Sequence, residues 1–112
     1  MKRIQRLIGA MSVLASSLAA GSAGAQETGN VGRGLALAQR ICSECHAVEK
    51  GQARSPNPAS PRFEAIANTP GMTAIALSAA LLTPHRTMPN ILLNADELSN
   101  VVAYILSLRR AD

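Results

Sequence analysis

The chain has 112 residues, 47 % of them apolar, with a formal net charge of +4. That length holds one small domain. The charge is unevenly placed: Lys2, Arg3 and Arg6 account for three of the eleven basic residues, and none of the seven acids precedes Glu27. Residues 26–112 therefore carry eight bases against seven acids, a net +1 with no basic stripe, which excludes nucleic-acid binding as a reading of the high pI.

The first segment reads as an export signal. The basic start is followed by an apolar or small run over residues 7–20, and Ala23-Gly24-Ala25 fits the small-x-small rule for signal peptidase. Cleavage is expected between Ala25 and Gln26, leaving 26–112 as the mature domain in the periplasm. The competing reading is a retained membrane anchor. Ser16, Ser17, Gly21 and Ser22 dilute the apolar run, which barely reaches spanning length.

Four helices are predicted and no strand. Asn30 caps a first helix over 31–41, with Leu35, Ala38 and Ile41 or Cys42 on one face. Gly32 and Gly34 each cost that helix about 1 kcal/mol relative to Ala, which hints at close approach by another backbone. Residues 47–60 carry Gly51, Pro56 and Pro58 and read as a loop. Ser60-Pro61 is a cap followed by Pro at a first helical position, so a short helix is expected over 61–67. Thr69-Pro70 repeats the signature and predicts a helix from there to Leu82, with Ile75, Ala79 and Leu82 on its apolar face, ended by Pro84. Residues 85–94 form a loop around Met88-Pro89-Asn90. Asn94 and Glu97 have capping-box spacing and open the last helix. Its apolar stripe is Leu98, Val101, Val102, Ile105 and Leu106, and Arg109 and Arg110 suit the negative end of its dipole. The mature domain is thus all-α.

This domain is short of interior. It has one Phe (Phe63), one Tyr (Tyr104) and no Trp. A chain so small usually needs a staple, a metal or a partner, and a large flat apolar cofactor would serve.

Cys42-Ser43-Glu44-Cys45-His46 is the C-x-x-C-H attachment signature of c-type haem. Two thiols three positions apart at a helix end can each form a thioether with one haem vinyl group, and the adjacent His46 can ligate the iron from one side. Three other chemistries use such cysteines. A dithiol redox motif expects mixed strands and helices. A structural zinc site needs four ligands, whereas the chain has two Cys and two His. A plain disulfide suits an oxidising compartment but leaves the weak interior unexplained. Export, helical pattern and aromatic poverty agree with haem.

For the far side of the iron, Met88 is preferred to Met72. It lies in a loop, and Pro89 stiffens that loop and lacks a competing N–H. The bland alternative for Met88 is a core filler. His85 is the runner-up ligand, with a solvent-facing role beside Arg86 the simpler reading. If His46 and Met88 face one haem, an apolar cavity is expected between them.

With these residues in view, the chain resembles the small class I cytochromes c over nearly all of 29–110. The likeness rests on the attachment motif, on Met88-Pro89 some forty residues later, and on the flanking first and last helices. The resemblance implies a cytochrome c-like fold in which those two helices cross, with Gly34 and Tyr104 as the contact pair. It implies a Pro carbonyl accepting Nδ1–H of His46, for which Pro58 is the choice and Pro56 the alternative. It implies that Asn90 orients the Met88 sulfur and that Arg54 and Arg62 pair with haem propionates, unless they are simply solvated loop charges. Two departures mark a compact variant: Ala38 stands where larger members often carry an aromatic, and the ligand loop has no aromatic.

The function expected from this is one-electron transfer, not catalysis, by a single covalent haem c with His46 and Met88 as ligands and redox proteins as partners. No stable membrane insertion is expected after signal cleavage. The alternatives are a haem subunit dedicated to a periplasmic dehydrogenase or oxidase, a ligand-binding protein with five-coordinate iron, or a haem-free Cys-pair protein.

Overall fold

The structure, a computed structural model, describes residues 29–111. The predicted signal segment and its cleavage site lie outside the described residues. Four α-helices follow one another, α1 (Val31–Leu37), α2 (Phe63–Ala67), α3 (Ala74–Leu82) and α4 (Ala95–Ser107), and α1 runs directly into a π-helical segment over Ala38–Cys42. Among the described residues there is no strand, as the all-α reading expects, and no helix is long and apolar enough to cross a membrane.

α1 and α4 cross at close range, and glycine permits it. A Cβ built on Gly34 would lie 2.0 Å from the Asn100 carbonyl oxygen and 2.6 Å from Tyr104 Cβ. The helical cost of this glycine is therefore offset by the contact it allows. Gly32 has no such role, since its nearest foreign atom is the nearby Asn30 side chain at 3.4 Å. Asn30 ties both helices: its Oδ1 accepts from Arg33 N at 2.8 Å, and its own N–H donates to Asn100 Oδ1 at 2.7 Å. Leu37, Ala38, Val101, Val102, Tyr104 and Ile105 form the core between these helices, joined by Val48, Phe63, Ala67, Leu77 and Leu108.

α4 follows its sequence signals closely. Asn94 Oδ1 accepts from Glu97 N at 2.9 Å, and Asn94 N–H donates to Glu97 Oε2 at 3.0 Å, a complete capping box. Arg109 reaches beyond its own helix end. Its Nε donates to the Ala67 carbonyl at 3.2 Å and its Nη2 to the Met72 carbonyl at 2.6 Å, tying α4 to the end of α2 and the turn after it.

The other elements depart from expectation. α2 begins at Phe63, with Arg62 in the N-cap position and no side-chain cap, so Ser60-Pro61 does not open it. The Phe63 N–H donates instead to the Ala47 carbonyl at 3.0 Å, a tertiary substitute for a cap. α3 begins at Ala74, not near Pro70. Met72 N–H donates to the Thr69 carbonyl at 3.0 Å and Gly71 has φ +77°, so Thr69-Pro70-Gly71-Met72 is a type II turn. Thr73 is the true cap, its hydroxyl accepting from Ala76 N at 3.1 Å. The buried side of α3 also differs: Leu77 is buried, while Ile75 and Leu82 are 84 % and 61 % exposed. The first predicted helix is divided between α1 and the π segment. Ser43 N–H there reaches back five residues to the Ala38 carbonyl at 2.9 Å.

Candidate functional site

The π segment delivers the chain into a tight turn that carries both cysteines and His46. Cys45 and His46 N–H groups both donate to the Cys42 carbonyl, at 3.2 and 2.9 Å. Ser43 Oγ donates to the Gln39 carbonyl at 2.5 Å and fastens the turn to the preceding one. Both cysteines are free thiols and half-buried. Burial pushes the Cys42 thiol above its ordinary range, the opposite of the activation that a dithiol redox centre needs.

His46 is held at one nitrogen. Its Nδ1 lies 2.6 Å from the Pro61 carbonyl oxygen. A carbonyl only accepts, so Nδ1 carries the hydrogen, and the Nε2 lone pair is left free for a metal. The acceptor is Pro61, fifteen residues after His46, and not Pro58 or Pro56. The loop path explains the difference. Asn57 N–H donates back to the Cys45 carbonyl at 3.1 Å, and Ser60 N–H closes a turn onto the Asn57 carbonyl at 3.0 Å. Exposed Pro58 rides on that turn, and the chain reaches His46 again only at Pro61.

Further bonds fix the flanks of His46. Ala47 N–H donates to Ser55 Oγ at 3.0 Å, and the Tyr104 hydroxyl donates to the Val48 carbonyl. The Phe63 ring stands 5.5 Å from the imidazole, tilted by 49°, and 6.4 Å from the Tyr104 ring. Among these residues, Ser55, Asn57 and the ring of Phe63 were not expected at the site. Their roles arise from the fold of one loop and have no local sequence signature.

The remaining candidates are more dispersed. Met88 is half-buried in the link between α3 and α4, while Asn90 and His85 are exposed there. Met88 is not among the side chains packed on the core, whereas Met72 is. The Arg62 guanidinium donates to the Gln52 carbonyl at 3.3 Å and stands 3.6 Å from Glu64, so it has protein partners already. Arg54 is exposed on the same loop. Two clefts border the described residues. One of about 1010 Å³ runs between the start of α1, α3 and α4 past Arg33, Ile75 and Asp96; the other, of about 470 Å³, lies beside Asn68, Gly71, Arg109 and Arg110. The expected apolar cavity between His46 and Met88 is neither of these.

What can this arrangement hold? Among the described residues no three His, Cys, Asp or Glu side chains converge on a common metal position, so a protein-only zinc site lacks its ligands. Two free thiols beside an oriented imidazole suit a group that brings its own metal and is anchored through sulfur. Elsewhere on the described residues, apolar side chains stand exposed. Residues 74–82 are Ala, Ile, Leu and one Ser, apolar on every side, yet only Leu77 is buried. A helix apolar all round is ordinarily enclosed. Leu92 is 88 % exposed in the link that carries Met88. No known protein family, curated protein or solved structure matches this chain.

Proposed function

We propose that this chain is an exported c-type cytochrome of the small class I kind, a periplasmic one-electron carrier that holds a single haem through Cys42, Cys45 and His46. The observation that carries the reading is the turn itself. Both thiols are free, they lie one turn apart, and the adjacent imidazole is locked in the tautomer that leaves Nε2 open. The small interior, with one Phe and one Tyr among its buried side chains, supports it further.

The haem supplies an iron that accepts and returns one electron. The residues of the chain supply everything else. Cys42 and Cys45 are the thioether anchors, which make the cofactor permanent in a domain with little interior of its own. Burial favours the neutral form of the Cys42 thiol. His46 would hold the iron through Nε2, and the Pro61 carbonyl holds Nδ1–H, fixing the ring and raising its basicity. Met88 would serve as the second ligand. The core-filling role that competes for a methionine belongs to Met72, whose side chain packs on the interior. With a haem bound, a thioether from Met88 would raise its reduction potential, and His46 and Met88 together would leave no position for a substrate, which would suit electron transfer. Partners are redox proteins.

The deciding experiment is direct. The chain is expressed with its leader in a host that matures c-type cytochromes, and the purified product is measured by mass and by a pyridine haemochrome spectrum. One covalent haem per chain, lost on Cys42→Ala and Cys45→Ala, is expected. A colourless, well-folded product refutes the proposal. Met88→Ala is expected to retain haem, lower the potential and open the iron to carbon monoxide.

A further inference from the structure

Phe63 does more at this site than fill the core. It is the only Phe in the chain and is 4 % exposed. Three contacts run from residues 61–63 to residues 46 and 47. The Pro61 carbonyl accepts from His46 Nδ1 at 2.6 Å, the Phe63 N–H donates to the Ala47 carbonyl at 3.0 Å, and the Phe63 ring stands 5.5 Å from the imidazole. The N–H of Phe63 is the first of α2, a position whose donor has no partner within the helix. Arg62 offers it no side-chain cap, so the Ala47 carbonyl takes that place and couples the start of α2 to the residue after His46.

We infer that Phe63 is a positioning residue for His46: its backbone and ring together keep Nδ1–H on the Pro61 carbonyl and keep Nε2 free. The physical reason is the weakness of one isolated bond at a half-buried ring. A single hydrogen bond leaves the imidazole free to rock about its Cβ bonds, and water competes for both partners. The Phe63 ring packs beside the imidazole at a tilt of 49° and fills space that water would otherwise take. The Phe63–Ala47 bond fixes the distance between the two strands of loop that the His46–Pro61 bond spans. The Phe63 ring also stands 6.4 Å from that of Tyr104, whose hydroxyl donates to the Val48 carbonyl. The imidazole is thus braced through Phe63 against α4.

This inference deepens the functional proposal and rests on it for one of its two readouts. Phe63→Leu and the volume-keeping Phe63→Met are prepared in the full chain, so that failure of one to fold leaves the other. Leu77→Ala, a core truncation on α3, serves as the control for simple loss of packing. Loosening the Nδ1–H bond makes the ligand less electron-rich, so the reduction potential of the haem-loaded variants is expected to rise above that of the parent. The second readout needs no haem: nitrogen chemical shifts and hydrogen exchange at His46 of the purified chain, measured in the reduced state where haem is bound. The parent is expected to show the Nδ1–H tautomer with slow exchange, and the Phe63 variants at least tenfold faster exchange. Leu77→Ala is expected to lower the melting temperature while moving neither. Unchanged potential and exchange in the Phe63 variants, or equal changes in Leu77→Ala, would overturn the role of Phe63. A chain purified without haem overturns the functional proposal instead, and the exchange of His46 still decides this one.

Discussion

Single side chains decide two features of this fold. At Gly34 there is no room for a methyl group, since a Cβ would sit 2.0 Å from a backbone oxygen of α4 that cannot swing aside. Gly34→Ala must therefore separate α1 from α4 across the best-buried part of the core. The expected cost is about 3 kcal/mol, the upper end of the range for overpacking, read as a lowered denaturation midpoint with an unchanged slope. Gly32→Ala meets no foreign atom within 3.4 Å and is expected to be neutral or mildly stabilising. The second residue is Tyr104. Burial raises its phenol pKa above the ordinary value, with Glu49 and Glu64 adding to the shift. A pKa raised in the folded state means that folding favours the protonated phenol. Its contribution to stability is present in full below about pH 10, the unfolded value, and is lost as pH rises through the folded one. Tyr104→Phe should remove that alkaline loss, and should cost about 1–3 kcal/mol at neutral pH by leaving the buried Val48 carbonyl without its donor. Unfolding titrations of both proteins between neutral and strongly alkaline pH check the two statements together.

At the scale of elements, α4 is the part built from local chemistry, and its cap can be tested alone. Asn94→Ala removes the acceptor for Glu97 N–H and half of the capping box. The expected loss is about 1 kcal/mol. A double-mutant cycle with Glu97→Ala should give a coupling energy distinct from zero, because each side chain bonds the backbone of the other residue. α4 was legible in the sequence for the same reason: a cap, a box and a 3.6-residue stripe are all local signals. The start of α3 was not. Thr69-Pro70 fits both a helix opening and the first half of a type II turn, and Gly71 settles the competition by adopting φ +77°. The buried side of α3 was not legible either, since a stretch apolar on every side has no period to read. The π segment has no Gly or Pro to announce it. It arises where a helix fixed at Gly34 by α4 must also deliver Cys42 into the turn that follows. The Pro61 acceptor was hidden for a related reason, because bonds between distant residues, Asn57 to Cys45 and Phe63 to Ala47, set the path of that loop.

For the whole molecule, the poverty of aromatics seen in the sequence has a structural counterpart. The buried core is mostly Leu, Val and Ala around one Phe and one Tyr, while Ile75, Leu82 and Leu92 stand 84, 61 and 88 % exposed. Where such side chains lie together they offer a surface for a partner or cofactor to cover. If the proposed haem covers it, cofactor attachment and stability are one property in this chain. Binding to the folded state alone stabilises that state, and a covalent bond cannot be diluted away. The double variant Cys42→Ala/Cys45→Ala then isolates the polypeptide without its anchors. Its expected state retains helical circular dichroism, since α1 and α4 still have a crossing to make. It should bind a hydrophobic dye and melt over a broad range, as compact chains do when specific packing is missing. The parent should exclude the dye and melt sharply. A variant that melts as cooperatively as the parent and excludes the dye would mean that the polypeptide completes its own interior, and that the exposed residues of α3 answer to some other partner.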